Sequence, residues 1–329
     1  MRERLTECLR IALAYHVSDI HFSFAPGNKE RVTVEMRIGQ DMKRLKHHPD
    51  DLRLFYYLMY RANLDISDSM EPQTGSFEET VDRQRLSLRF AVVSSYHMTS
   101  GVLRLLNNHP DLTIEELTYD AEQTAWFAGI TRHRNGLFIF SGPTGSGKTT
   151  SLYTLLNACE NKKIFTLEDP VEVVNDKYIQ LQINERAHLS YAEGIKQLMR
   201  QDPDIIMVGE IRDSTAAEMA VRCALTGHLV VTSLHSFSCN GAVERMTELG
   251  VSPLQLQDVL LGVSCQRLYT AADGGKIGIY EIMDRKEVQH YFRTHTNSER
   301  FIPLTARIQR AVEEHIIEGD QAKADLIDA

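Results

Sequence analysis

Apolar and polar positions follow two rhythms along this chain. In the first hundred residues a helical pattern from Leu5 to Tyr15 leads into Asp19-Ile20-His21-Phe22, then into an alternating run from Arg31 to Ile38. A second helical pattern lies around Leu52 to Ala62, and further alternating runs cover Arg85 to Val92 and Gly101 to Leu106. Period-two segments mixed with helical ones predict a small α+β unit. Asn107-Asn108-His109-Pro110-Asp111 is polar and holds a proline, the composition of a linker. Beyond it the rhythm changes. Short apolar runs at 137–140, 163–167, 205–208 and 229–232 alternate with helical stretches starting at 148 and lying near 192–200 and 214–225. That order predicts a mainly parallel sheet flanked by helices. Past about Leu254 the pattern predicts largely helix, apart from a glycine-rich turn and strand at 274–280, and the polar, acidic tail after Glu318 is expected to fray. The expected organisation is therefore an N-terminal α+β domain at 1–106, a linker at 107–113 and an α/β domain at 114–329.

One turn in the second half carries chemistry. After Leu137-Phe138-Ile139-Phe140 comes Ser141-Gly142-Pro143-Thr144-Gly145-Ser146-Gly147-Lys148-Thr149-Thr150. It fits G-x-x-x-x-G-K-[ST] in the required setting of buried strand, glycine turn and helix. Gly142, Gly145 and Gly147 let backbone N–H groups converge on phosphate oxygens. The helix that follows points its positive end at the same anion. Lys148 is expected to reach the β- and γ-phosphates and the Thr149 hydroxyl to hold Mg²⁺. Residues 142–150 thus predict a nucleoside triphosphate site with Mg²⁺ bound beside the phosphates.

Composition narrows what that site serves. The 329 residues are 43% apolar and 25% charged, as in ordinary globular proteins. No apolar run approaches membrane-span length, and the first residues lack the hydrophobic core of a signal peptide, so any membrane association is expected to be peripheral. Five scattered cysteines, never spaced C-x-x-C, fit a reducing cytoplasm and predict no zinc site. A formal net charge of −9, one tryptophan and no Lys/Arg-rich run argue against nucleic acid as the direct substrate.

Three further clusters bear on hydrolysis. Ile205 to Val208 runs into Gly209, where a Mg²⁺-holding aspartate would ordinarily sit, and Glu210 follows. A carboxylate at the C-terminal end of a parallel strand can activate the attacking water or hold the metal's water shell; the alternative is a surface acid. Glu168-Asp169-Pro170-Val171-Glu172 follows the 163–167 strand, and Glu168 is the candidate to face Mg²⁺ or water, against a solvated turn. His228 and His235 bracket the 229–232 strand; His235, at its ligand-side end, is the stronger candidate for sensing the γ-phosphate, against a satisfied structural histidine.

These motifs, in this order, closely resemble those of the secretion and type IV pilus assembly ATPases: Walker A, aspartate box (Leu167–Glu172), atypical Walker B (Arg200–Asp213) and histidine box (Thr226–His235). The resemblance continues in Ser18-Asp19-Ile20-His21, Met70-Glu71-Pro72-Gln73-Thr74-Gly75, Gln266-Arg267-Leu268 and Gly278-Ile279-Tyr280-Glu281. It implies a RecA-like P-loop motor domain, a small PAS-like N-terminal domain and a helical C-terminal extension. It also implies a homo-hexamer in the cytoplasm, peripheral at the inner face of the cell membrane. There it would work on a polytopic inner-membrane platform protein and a pseudopilin machinery. N-terminal arginines complete the nucleotide site in that family, and Arg37, Arg89 and Arg104 match by context; the alternative is strand-face arginines paired with acids.

Two departures refine the resemblance. No four-cysteine zinc module follows Gln266-Arg267-Leu268, and the long extra N-terminal domains of larger members are not expected here. A chain of this kind is most similar to the traffic ATPases of Gram-positive competence systems, which assemble a pseudopilus for DNA uptake; retraction ATPases share both departures. A RecA-like nucleic-acid translocase, a small-molecule kinase and a non-catalytic scaffold are the competing classes. The first would need a basic pore, the second a lid and an acceptor pocket. A GTPase is disfavoured because Asn161-Lys162-Lys163-Ile164 lacks the aspartate of N-K-x-D.

Overall fold

The computed structural model describes the chain except residues 16, 26–27, 39–40, 68–70, 107–111, 173, 184–188 and 328–329, and except the side chains of 28–31, 85 and 327. Most of the expected linker, and Met70, lie outside the described residues. The chain divides into two units, Met1–Pro110 with Glu172–Val174, and Asp111–Val171 with Asn175–Ala329.

The first unit comprises α1 (Arg2–Ala14), β1 (Asp19–Ala25), β2 (Asn28–Ile38), β3 (Asp41–Arg44), α2 (Asp51–Arg61), β4 (Gln73–Val81), β5 (Gln84–Ser94) and β6 (Thr99–Leu105). Its strands form an antiparallel sheet in the order β3-β2-β1-β6-β5-β4. Leu5, Cys8, Leu9 and Ala12 fall on one face of α1 and are buried with Leu54, Phe55 and Leu58 of α2 against one face of the sheet. Phe55 stands at the centre, its ring edge-on to Phe24 at 5.1 Å and Phe90 at 5.3 Å between centroids. Two acids are buried with cation partners. Asp51 is 3.0 Å from Arg4; Glu79 is 2.8 Å from Arg2 and also pairs with Arg61. Burial pushes the Glu79 carboxyl up, but the hydrogen bonds from Arg61 and Arg2 more than reverse this, leaving it below the usual glutamate value.

The second unit opens with α3 (Ala121–Ile130). It continues through β7 (Gly136–Ser141), α4 (Lys148–Asn157), β8 (Ile164–Glu168), β9 (Ile179–Gln182), α5 (Tyr191–Leu198), β10 (Ile205–Val208), α6 (Ser214–Leu225), β11 (Leu229–Leu234) and α7 (Cys239–Glu248). It ends with α8 (Pro253–Val259), β12 (Leu260–Thr270), β13 (Lys276–Met283), α9 (Arg285–Thr294), α10 (Leu304–Glu313) and α11 (Gly319–Ile327). Helix starts are set by side chains: Asp120, Ser190, Asp213, Ser238 and Asp284 each accept a backbone N–H in the first turn of α3, α5, α6, α7 and α9. The sheet runs β13-β12-β7-β11-β10-β8-β9 and is parallel except for the β12–β13 hairpin. This is an α/β fold of the expected class, with helices following the sheet at the C-terminus.

Two expectations fail here. The stretch 260–270 is a strand, not helix: it lies between β7 and β13, and its residues are buried on both faces over 262–266, so period-two alternation is lost. Gly262 fits this crowding, because a Cβ there would come within 2.7 Å of the Trp126 ring. The tail does not fray over 319–327. Asp325 accepts from Arg267 Nε at 2.9 Å and from the Tyr269 hydroxyl at 2.6 Å, and Gln321 Oε1 accepts the Thr270 N–H at 2.9 Å. One buried acid organises the C-terminal part: Glu281 accepts the Cys239 N–H at 2.6 Å and the Leu304 N–H at 2.7 Å, at the starts of α7 and α10. The residue before α10 is Pro303, which supplies no capping side chain.

Candidate active site

Every residue of β7 is buried, and the strand delivers the chain into the glycine loop at its C-terminal end. Gly142, Gly145 and Gly147 have φ of +144°, +80° and +86°, values that β-carbons disfavour. The loop is pinched at its base and open at its tip. A Cβ at Gly142 would meet Ser146 Oγ at 2.6 Å and the Gln266 carbonyl at 2.7 Å, whereas at Gly145 it would meet nothing within 4 Å. Lys148 starts α4 and is buried; its Nζ donates to the carbonyls of Gly142 at 2.8 Å and Pro143 at 2.9 Å. Thr149 is half-buried in the same turn, with no side-chain hydrogen bond among the described residues, and the buried Ser146 hydroxyl has no partner among them. Orphan hydroxyls, three glycines at positive φ and a lysine held on carbonyls fit a phosphate group and its divalent cation.

The loop is braced from β12 and β13, which sequence reasoning missed. Gln266 Nε2 donates to the Ser146 carbonyl at 2.7 Å and its Oε1 accepts from Ser151 Oγ at 3.2 Å. The Ser151 hydroxyl lies 2.9 Å from that of Tyr280. Burial holds the Tyr280 phenol protonated, pushed up to about 12. Gln266 stands in the Gln-Arg-Leu segment, which was the available signal.

Three neighbouring strand ends bring the other candidates into line, since β11, β10 and β8 are consecutive in the sheet. Glu210, just past β10, receives His235 Nε2 on Oε1 at 2.8 Å and Arg212 on Oε2 at 2.6 Å. The hydrogen bond with Glu210 holds Arg212 above its ordinary value, and Arg212 also lies 3.6 Å from Asp169. Ser233 Oγ donates to the Gly209 carbonyl at 2.6 Å, and the Ile211 N–H donates to the Ser233 carbonyl at 2.9 Å, so β11 fixes the 209–211 backbone.

Glu168 is buried at the end of β8. The Tyr153 hydroxyl hydrogen-bonds both its oxygens at 2.8 Å, and Thr166 Oγ1 and Gln180 Nε2 donate to Oε1 at 2.6 and 3.3 Å. Gly209 leaves room for it: a Cβ there would lie 3.2 Å from Glu168 Cγ. His228 precedes β11, its Nδ1 3.2 Å from both the Cys223 carbonyl and the Thr226 hydroxyl. Of the two histidines, the structure brings only His235 to Glu210.

Within the first unit, Arg89 pairs Arg104 across β5–β6 and Arg104 pairs Asp19 across β6–β1. Arg37 follows Met36, which pairs Ile20, so it continues that row on β2. All three arginines share the sheet face opposite the aromatic core, because Phe90, Leu103, Ile20 and Met36 occupy the other parity. Arg104 Nε donates to Asp19 Oδ1 at 2.7 Å. Among the described residues, no group of three or more His, Cys, Asp or Glu could hold a metal, and no helix is long and apolar enough to cross a membrane.

A parallel sheet with a phosphate loop after one strand and an acid–imidazole–guanidinium cluster two strands away defines a P-loop NTPase class. A family model described as "Type II/IV secretion system protein" matches residues 1–301, and the chain belongs to that family. Competence protein ComGA of Bacillus subtilis (strain 168) is 35% identical over 260 residues, 78% of this chain and 72% of that protein. Among solved structures, the Legionella pneumophila ATPase DotB superposes with a TM-score of 0.77 at 19% identity, covering 98% of this chain and 94% of its own. The pilus retraction motor PilT with bound ADP gives 0.72 at 23%, covering 96% and 95%.

Proposed function

We propose that this chain hydrolyses Mg²⁺–ATP as a cytoplasmic homo-hexamer, peripheral at the inner face of the cell membrane. Its work is to drive a polytopic platform protein that assembles a competence pseudopilus for DNA uptake. The observation that carries the catalytic part is Glu210, held between His235 and Arg212 at the carboxyl end of the sheet. The likeness to a competence protein over 78% of this chain supports the cellular part.

In this reading residues 142–150 cradle the phosphates, and Lys148 exchanges its loop carbonyls for β- and γ-phosphate oxygens. Mg²⁺, when bound, draws charge off those oxygens. Thr149 would hold it through its hydroxyl, and Glu210 and Glu168 through water. Glu210 accepts the proton of the attacking water, and His235 reports the γ-phosphate to β11. Arg37, Arg89 and Arg104 of a neighbouring subunit supply positive charge to match what builds on the transferred group. No nucleic acid binds directly.

The test is phosphate release across protein concentration, with fluorescent ADP binding measured alongside. Turnover per subunit should rise with assembly, and Lys148→Ala should abolish nucleotide binding. An assembled protein that binds nucleotide yet releases no phosphate, even with its membrane partners, refutes the motor. In cells, deletion should leave pseudopilins unassembled; filaments that persist and lengthen would reassign the motor to retraction.

A further inference from the structure

Away from the phosphate loop, the second unit holds a cavity of ≈ 470 Å³ between α3, α9, the 298–302 loop and α10. Its size is that of small-molecule sites. We propose that it binds a small organic anion: a phosphate or carboxylate joined to a flat apolar ring.

Charge is the first argument. Lys286, Arg293, Arg300 and Arg307 line this one concavity on a chain of formal net charge −9. Lys286 and Arg300 are exposed and make no ion pair among the described residues. Of the three acids in the wall, Glu287 spends both oxygens on the protein and Asp284 spends one. Asp284 caps α9 by accepting the Glu287 N–H at 2.8 Å, while Glu287 accepts Ser298 N–H at 2.8 Å and Oγ at 2.6 Å. Glu122 remains, exposed on α3. Four cations line the wall with free donors against three acids, of which Glu287 has both oxygens engaged, so the polar complement is an anion.

Arg307 is the second argument. Its NH1 donates to Asp120 at 2.7 Å, yet its Nε is buried with no partner among the described residues. A buried orphan guanidinium N–H leaves this charge under-satisfied by the protein, which strengthens its pull on an anion at the cavity wall. The third argument is the apolar wall. Trp126 is half-buried, edge-on to Phe127 at 5.1 Å and Phe138 at 5.9 Å, and it shares the cavity with Phe301 and Ile302. That wall suits a ring rather than a bare ion.

Trp126 is the single tryptophan, so its emission reports the site directly. The probe is phenyl phosphate, titrated into the full chain, with phenol and inorganic phosphate as comparators and the thermal midpoint followed in parallel. We expect a saturable change with phenyl phosphate, at least tenfold weaker for either comparator. Lys286→Ala/Arg300→Ala, both at exposed positions, should weaken phenyl phosphate at least tenfold with an unchanged midpoint in the absence of ligand, and Lys148→Ala should leave the titration as in wild type. A response that is absent, that fails to saturate, that survives the double substitution, or that vanishes in Lys148→Ala overturns the assignment. None of these outcomes depends on ATP turnover, so the proposed motor function stands or falls separately.

Discussion

Replacing Glu210 by glutamine separates chemistry from architecture. The substitution keeps size and one acceptor oxygen, and removes the charge shared by His235 and Arg212. Arg212 is more than half exposed, with Asp169 3.6 Å away as a second partner, so the guanidinium is not stranded in an apolar interior. Exposed pairs contribute about 0–1 kcal/mol, and Glu210→Gln should therefore lower stability by less than about 1 kcal/mol. Its catalytic effect should be far larger. Loss of a positioned general base costs roughly 10²–10⁴ in rate, or about 3–5 kcal/mol of barrier. The assay is steady-state phosphate release at saturating Mg²⁺–ATP beside fluorescent ADP titration and thermal melting. Turnover should fall by two to four orders of magnitude, with nucleotide affinity and melting close to wild type. A Glu210→Gln protein that retains more than a tenth of wild-type turnover would remove this residue from the role of base, because a structural bystander leaves kcat intact.

Three other outcomes follow from the geometry. Gly209→Ala places a Cβ 3.2 Å from Glu168 Cγ; turnover should drop at least tenfold while the protein still melts cooperatively, and unchanged turnover would detach Glu168 from the reaction. Glu79→Gln should destabilise the first unit by about 3 kcal/mol in urea, since it strips the charge from a buried carboxylate that pairs with Arg61 and Arg2. The folded-state value of Glu79 is depressed, so its contribution is complete above the ordinary glutamate range and is lost as pH falls through the folded value; the variant should lack that acid limb. Burial pushes the Cys8 thiol up to about 11 and the Cys223 thiol up to about 12. Unfolded thiols ionise first, so stability should decline from about pH 9 upward, by at most about 1.4 kcal/mol per pH unit for each. Native protein at pH 8 should leave both unreacted toward a thiol reagent, and rapid labelling of either would contradict their packing.

Much of the second unit was legible because its strands are short, apolar and set off by turns, and because the glycine loop has a fixed spacing between strand and helix. Glu210 and His235 were legible for the same reason: each immediately follows a buried parallel strand, where ligands of such sheets gather. Strand β12 was not. Buried on both faces beside β7, it carries no alternation, and its apolar start continues directly from α8. The polar edge strand β9 and the exposed four-residue β3 bury too little to mark the pattern. The support of Glu168 by Tyr153 and Gln180 joins residues 15 and 12 positions away, and the Gln266–Ser151–Tyr280 chain spans more than a hundred. Such pairings depend on tertiary placement, which no local spacing encodes. The arginine row lies between these cases, since alternation fixes the face of each residue while only the pairing register aligns Arg89 with Arg104.

Glu281 ties two helix starts to one side chain, and this has a kinetic corollary. The Cys239 and Leu304 amides share a single acceptor group, so an opening that frees one should loosen the other. In deuterium exchange followed amide by amide, the two should swap their protons slowly and at matching rates. Glu281→Ala should speed both together, even though 65 residues of chain separate them.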